Sequence, residues 1–281
     1  MRFSIPFFIR IAARLLRIAS LDHLWRQRVL LREMVRREIH AQYIGAVGGV
    51  WWALFRPLIT LAGYYFVFSV VLAVRVSEAP AGSRDYGLFL VSGLIPWLAF
   101  SEAVVQGTRS LIASAQLLKK AALPAELFPA SSALAPAVSY LPFLVLPTVL
   151  AWWSENAPFW GLVWLPGWIV LQVGLMYYLS LVLAILSAAL KDVAQMVRAV
   201  IAMLIFFSPI LFPIERVPSL ARGVLWLNPV TPLVDGYHSI VLFGRLPDLH
   251  AFVGVLAWIA LLALLSKILL RRSRAQLVDW L

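Results

Sequence analysis

The sequence lacks cysteine and has few charged residues. None of its 281 residues is cysteine, which excludes disulfide bonds, cysteine-ligated metal centres and catalysis by a thiol. Charged residues make up 13% of the chain, whereas soluble domains usually contain about 25%. Hydrophobic residues make up 62%, a share that fits neither a soluble globular domain nor a disordered chain. The composition therefore predicts an integral membrane protein.

Recognisable catalytic and nucleotide-binding patterns are also lacking. The sequence has no G-x-x-x-x-G-K phosphate loop, no H-E-x-x-H metal motif and no G-x-S-x-G nucleophile motif. The four histidines are scattered, without the spacing of metal ligands. Glu102 is the only acid inside a predicted span, and it is either a functional acid or one paired with nearby polar groups. We therefore expect no catalytic site, no metal site and no ATP-hydrolysing site in this chain.

Positive charge is concentrated near the two ends of the sequence. The formal net charge is +11, and lysine and arginine are most frequent before residue 45 and after residue 266. This distribution is typical of positive-inside topology and of attraction to anionic lipid headgroups, not of a nucleic-acid-binding surface. The segments on the side of the termini also carry more basic residues than the loops on the other side. We therefore predict that both termini are cytoplasmic.

The hydrophobic pattern predicts an all-α integral membrane protein with six transmembrane helices, because each span needs about 20 residues. The predicted spans cover residues 50–74, 86–110, 131–153, 160–190, 193–212 and 251–270. Residues 1–48 are predicted to form N-terminal amphipathic interface helices, and residues 49–281 the transmembrane domain. Residues 213–247 mix apolar stretches with proline, which is typical of short re-entrant periplasmic helices between spans 5 and 6.

Several motifs together resemble the transmembrane subunit of polysaccharide-exporting ABC transporters. The resemblance begins in the run from Arg37 to Leu58, which contains Tyr43 before Gly45, then Gly49 and Trp51. It continues through residues 89–100 and 117–126, and through the pairs Lys191-Asp192, Ser208-Pro209 and Asn228-Pro229. These motifs follow the family order at family spacing over roughly residues 25–250. The chain departs from the family where Gln42 and Lys191 stand in place of arginine.

The resemblance implies the permease subunit of an ATP-driven exporter that moves lipid-linked, O-antigen-like polysaccharide across the bacterial cytoplasmic (inner) membrane. Two copies of the chain would form the conduit as a homodimer. Two copies of a cytoplasmic ATP-binding subunit would hold ATP and Mg²⁺, while this chain would bind membrane lipids but no cofactor and no nucleic acid. Permeases for teichoic acid, capsule or drug export are the alternatives within the family. A membrane-embedded glycosyl- or phosphotransferase is the alternative outside it.

The resemblance also assigns roles to particular residues. A coupling helix near residues 117–128 would dock on the ATPase through Leu117, Leu118, Lys119, Lys120, Pro124 and Glu126. The interface helix would lie beside the ATPase with Arg28, Arg32, Arg36, Arg37 and Tyr43. The candidates for the pore or for substrate contact are Tyr64, Tyr65, Phe68, Trp97, Phe100 and Glu102, because aromatic faces can stack on sugar rings. A periplasmic gate would include Trp226, Asn228 and Pro229. The alternatives are ordinary positive-inside charges for the lysines and interface anchoring for tryptophans at span ends.

Overall fold

A computed structural model describes residues 21–42, 49, 51–71, 86–120, 123–155, 160–273 and 280. Within these residues the chain forms helices and short connections and contains no strand. The all-α class predicted from the sequence is therefore confirmed for the described part of the chain. The predicted interface helix within residues 1–20 and the predicted role of Tyr43 lie outside the described residues.

Two helices precede the first long apolar segment. Helix α1 (Leu21–Arg26) and helix α2 (Arg28–Ala41) follow one another, separated by Gln27. On α2, Leu31 and Met34 are partly buried against the hydrophobic core, while the arginine-rich face is exposed. Helix α2 therefore has one packed face and one exposed, arginine-rich face, and its position at a membrane interface stays a prediction.

The remaining helices form the apolar body of the subunit. In chain order they are α3 (Trp51–Tyr65), continued by a π-helix (Phe66–Val71), then α4 (Tyr86–Ala113), α5 (Ala115–Lys120), α6 (Leu127–Glu155), α7 (Trp160–Ala189), α8 (Val193–Leu204), a 3₁₀ turn (Ile214–Arg216), α9 (Ser219–Leu225), α10 (Val230–Phe243) and α11 (Leu249–Ser273). Prolines lie inside several of them, which membrane helices tolerate because neighbouring groups satisfy the freed backbone carbonyls.

Four helices in the described residues are long and apolar enough to cross a membrane. They are Tyr86–Ala113, Leu127–Val149, Gly161–Ala189 and Leu249–Ser273. Each overlaps one of the six predicted spans. The first and fifth predicted spans contain shorter α-helices, of 15 residues in α3 and 12 in α8, and a helical span needs about 20.

Helix α4 lies at the centre of the subunit, where it packs against α6, α7, α8 and α10. Small residues bring it close to α7: the Ser180 hydroxyl donates to the carbonyl of Ala103 at 3.2 Å. A methyl group on Gly107 would overlap the side chain of Ser180. Helices in membranes associate largely through such close packing of small residues. The pair α4 and α7 is therefore the tightly packed centre of the fold.

Helix α10 is inserted among the long helices rather than lying on the surface. Nearly all of its residues are buried. The Trp168 indole of α7 donates to the carbonyl of Leu233 at 3.0 Å, and the Tyr237 hydroxyl donates to the side-chain carbonyl of Gln172. The Gln172 amide in turn donates to the carbonyl of Pro96 at 2.9 Å. A buried hydrogen-bond chain thus joins α4, α7 and α10.

Candidate functional site

The predicted coupling segment contains a short helix between two long ones. Helix α5 follows the end of α4, and a turn at residues 124–126 leads into α6. Leu117, Lys119 and Lys120 are exposed, while Leu118 is partly buried against the core. One side of α5 is thus fixed to the subunit, and the other presents two positive charges beside an apolar side chain. This arrangement is suited to docking on a partner protein.

The later residues of the predicted coupling segment are less accessible. Pro124 is partly buried, and Glu126 is only 7% exposed in the turn before α6. In this arrangement the carboxylate of Glu126 lies inside the subunit. Among the described residues of the predicted coupling segment, the exposed side chains therefore lie on the helix that ends at Lys120, and docking through it, like a direct role for Glu126, stays a prediction.

Helices α2 and α5 border one cleft of about 660 Å³. Its lining includes Arg37 and Gln42 from α2 and its end, Arg109 from α4, Leu117 from α5 and Ser132 from α6. The predicted interface helix and the predicted coupling helix are thus neighbours across a polar cleft. A partner that docks on α5 would also approach α2.

An acidic side chain anchors α2 to α6. The Ser132 hydroxyl donates to Oε1 of Glu38 at 2.8 Å. Burial raises the pKa of Glu38 above its ordinary value, and hydrogen bonds from Ser132 and Ser131 oppose that rise. By contrast, the four predicted arginines of α2 are exposed: Arg28, Arg32, Arg36 and Arg37. The arginine-rich face of α2 is therefore exposed, while the partly buried carboxyl group of Glu38 faces α6.

Glu102 is the centre of a polar cluster among apolar helices. The Gln106 amide donates to its Oε1 at 2.9 Å, and the Tyr140 hydroxyl donates to its Oε2 at 3.1 Å. Nη1 of Arg56 lies 3.8 Å from the same Oε2, which is an ion pair without a close hydrogen bond. The Arg56 side chain is 65% exposed and that of Glu102 is 12% exposed. The cluster connects α3, α4 and α6.

A row of aromatic rings runs from α3 to α10. Ring centroids are 6.3 Å apart for Tyr64 and Phe68, 6.3 Å for Phe68 and Tyr86, and 6.1 Å for Tyr86 and Phe89. Phe89 stacks on His238 at 4.1 Å. Tyr64 and Phe68, two of the predicted pore residues, therefore belong to one aromatic row.

The other predicted aromatic residues are placed differently. Trp97 is 4% exposed and Phe100 is 0% exposed, and their ring centroids are 5.9 Å apart inside the core. Tyr65 is exposed on α3. In this arrangement Trp97 and Phe100 pack within the subunit, so pore lining by either requires its helices to move apart. A role of these side chains in substrate passage stays a prediction.

The predicted periplasmic gate is stabilised by one asparagine. Asn228 Nδ2 donates to the carbonyl of Phe207 at 3.0 Å and to the hydroxyl of Ser208 at 2.8 Å. Its Oδ1 accepts the backbone N–H of Val230 at 3.0 Å, at the start of α10. The pairs Ser208-Pro209 and Asn228-Pro229, separate in the sequence, thus meet in the fold. Trp226 lies beside them, partly buried.

The sequence model of the ABC-2 type transporter family matches residues 29–242, from α2 to α10. The chain belongs to this family. The chain is also similar to the O-antigen export system permease protein of Myxococcus xanthus, with 27% identity over 242 residues that cover 85% of this chain and 90% of the relative. Two proteins of that description from Klebsiella pneumoniae are 24% and 23% identical, covering 77% and 85% of this chain and 82% and 92% of the relatives.

Membership of the ABC-2 type transporter family means that the described surfaces belong to the membrane subunit of a transporter. The family is one of transporter membrane subunits and implies a partner ATP-binding subunit. The matched residues include the exposed helix α5, the cluster around Glu102 and the asparagine at the start of α10. Within the described residues, the α2–α5 cleft lies next to the exposed lysines of α5, and docking of the partner there stays a prediction.

Several residues of these sites were not predicted from the sequence, among them Glu38, Gln106 and Tyr140. Glu38 lies seven positions after Leu31, so helical periodicity alone places both on the packed face of α2. Gln106 lies four positions after Glu102, which is also a recognisable helical spacing. Tyr140 comes from another helix, and nothing in the local sequence indicates its contact with Glu102.

Proposed function

We propose that this ABC-2 subunit is the permease of an ATP-driven exporter that carries lipid-linked polysaccharide, O-antigen-like in kind, across the bacterial cytoplasmic membrane. The observation that carries the proposal is the family match over residues 29–242, together with three relatives described as O-antigen export permeases. The partner subunits would bind ATP and Mg²⁺. Only the complex would act as a translocase.

We propose a six-span arrangement with both termini in the cytoplasm. Four helices have the length and composition of spans. Helix α3 with its π-helical continuation, and α8 with the turns that follow it, would supply the other two. Helices α9 and α10 would then lie at the periplasmic side, with α10 entering the membrane only where protein covers its backbone.

The conduit would form between two copies of the chain. Supporting this, α3 and α8 present exposed apolar side chains that nothing within the described residues covers: Phe55, Ile59, Met196, Val200 and Met203. A second subunit would bury part of these faces, and lipid the rest. Tyr64, Tyr65 and Phe68 on the α3 segment would then lie near the path of the polymer.

Motion of the ATPases would reach the spans through the exposed face of α5. Helix α5 follows α4 after Ser114, and α4 packs against α3, α6, α7, α8 and α10. A displacement of α5 would therefore be passed to the centre of the subunit. Helix α6 follows α5 in the chain, and the bond between Glu38 and Ser132 joins α2 to α6. A displacement of α5 would therefore also change the α2–α5 cleft.

The decisive experiment is reconstitution of the chain with its cognate ATP-binding subunit in lipid nanodiscs. We expect a complex of two chains and two ATPases by native mass spectrometry, and ATP hydrolysis that rises on addition of lipid-linked polymer from the native host. In cells, deletion of the gene for this chain should leave the polymer in the cytoplasm. Stimulation by teichoic acid precursors or drugs alone would favour the related exporters. Transfer of sugar or phosphate by the isolated chain, without ATP, would contradict the proposal.

A further inference from the structure

A polar pocket of about 380 Å³ lies between α3, α4, α6 and α8. The side chains that define it are Arg56 and Thr60 of α3, Glu102 and Gln106 of α4, Tyr140 of α6 and Ile201 of α8. Arg56 lies five residues after the first residue of α3, about 7 Å along the helix axis. Ionisable side chains that face one another within membrane helices are costly and mark functional sites.

One polar atom of Gln106 has no hydrogen-bond partner within the described residues. Its amide nitrogen donates to Glu102, but its Oε1 is buried and accepts no hydrogen bond within the described residues. A buried acceptor without a donor destabilises the folded chain. Gln106 lines the pocket, so a ligand that reaches its Oε1 with a hydroxyl or amide donor would satisfy this acceptor.

The charges of the pocket select among possible ligands. Arg56 and Glu102 carry opposite charges and lie 3.8 Å apart, so the lining is close to neutral overall. An anion such as a phosphate would meet the guanidinium and the carboxylate together, and attraction and repulsion would largely cancel. A hydroxyl both donates and accepts, so it can pair with Arg56, Glu102 and Gln106 in turn. The lining therefore fits a neutral, hydroxyl-rich ligand better than an anion.

We propose that this pocket binds neutral sugar units of the transported polymer, with Glu102 and Gln106 accepting from sugar hydroxyls and Arg56 donating to them. The inference rests on the proposed function, because it takes the polymer to be the cargo. The pocket is bordered by α3 and α8, whose exposed faces would flank the conduit, so a passing polymer would reach it. The diphosphate of the lipid carrier would bind at a different site.

The test compares two probes on the reconstituted complex with its ATPase. One probe is lipid-linked polymer from the native host, and the other is polyprenyl diphosphate without sugar. Gln106→Leu removes the unpaired acceptor and the amide donor, while Glu102→Gln removes the charge but keeps an acceptor oxygen. Gln195→Leu is the matched control, because Gln195 is exposed on α8 and pairs with Arg198 outside the pocket.

We expect Gln106→Leu to raise the half-saturating concentration of lipid-linked polymer for ATPase stimulation about fivefold, as loss of a hydrogen bond would. The half-saturating concentration of polyprenyl diphosphate should stay unchanged, and Gln195→Leu should match the wild type with both probes. Glu102→Gln should weaken the polymer response less than Gln106→Leu does. Glu102→Gln should not lower the half-saturating concentration of polyprenyl diphosphate.

Three results would overturn the inference in distinguishable ways. An unchanged polymer response in both pocket variants would remove the sugar site and leave the proposed function intact. A lower half-saturating concentration of polyprenyl diphosphate in Glu102→Gln would indicate an anion site instead. A wild-type complex that does not respond to lipid-linked polymer would overturn the proposed function, and the sugar site with it.

Discussion

The hydroxyl of Ser132 donates a 2.8 Å hydrogen bond to the carboxyl group of Glu38 and so fastens α2 to the start of α6. The two residues are 94 positions apart in the sequence. Helix α2 is otherwise attached mainly through partly buried apolar side chains such as Leu31 and Met34. This bond therefore fixes the helix on one side of the α2–α5 cleft relative to a long apolar helix.

The attachment of α2 should depend on pH. Burial raises the pKa of Glu38, so the folded chain holds a proton there at pH values where the unfolded chain has lost it. The resulting stabilisation is complete below the unfolded pKa and is lost as pH rises through the higher folded pKa. We therefore expect the thermal stability of the purified chain to fall as the pH rises from below the ordinary glutamate pKa through the raised pKa of Glu38.

Glu38→Gln is the variant that isolates this effect. It keeps an oxygen that can accept from Ser132 but cannot ionise, so its stability should change less with pH than that of the wild type. Glu33→Gln, an exposed carboxyl on the same helix, should retain the wild-type dependence. Equal pH dependence in the wild type and Glu38→Gln would show that Glu38 does not titrate as described.

Reversal of charge on α5 should weaken binding of the ATP-binding subunit. Lys119 is exposed on the face that we propose docks. We expect Lys119→Glu to weaken association about tenfold, with a stronger loss at low salt, as measured by titration of the purified ATPase onto nanodisc-bound chain. Lys191→Glu reverses an exposed charge at the end of α7 and should have little effect. Equal weakening by both variants would indicate a general charge effect without specific docking.

Topology can be tested with single cysteines, because the natural chain contains none. Leu220 on α9 is 90% exposed and Lys119 is exposed on α5. We expect a membrane-impermeant maleimide to label Leu220→Cys in intact spheroplasts, and Lys119→Cys only after permeabilisation. Labelling of Lys119→Cys in intact spheroplasts would reverse the proposed orientation. The cysteine-free chain supplies the background.

The close contact between α4 and α7 should not tolerate a larger side chain. Gly107→Ala would overlap Ser180, so we expect it to lower the free energy of unfolding by about 1–3 kcal/mol. Adding Ser180→Gly removes the overlapping atoms and should restore part of the loss. Gly63→Ala on α3, where no atom lies within 4 Å of the added methyl group, should not destabilise the chain. Thermal unfolding in detergent measures all three, and no recovery in the double variant would refute the steric explanation.

The sequence alone determined the class of the protein and the order of its parts. Long apolar runs exclude a soluble fold, and they mark the four helices that are long enough to span a membrane. The amphipathic division of α2 follows from its periodicity. The ordered motifs between residues 25 and 250 predicted the family, which the match over residues 29–242 confirms. These properties depend on composition and local spacing, which the chain carries whatever its tertiary fold.

Only the tertiary structure decided which side of each long helix faces protein. In a soluble protein, apolar side chains turn inward, so the sequence indicates the buried face. In a membrane, lipid and protein interior are both apolar, so hydrophobicity does not separate the buried Trp97 from the exposed Tyr65. The partners of Glu102 and Glu38 likewise come from helices distant in sequence. Such contacts depend on how the helices are rotated and packed, which periodicity within one helix does not specify.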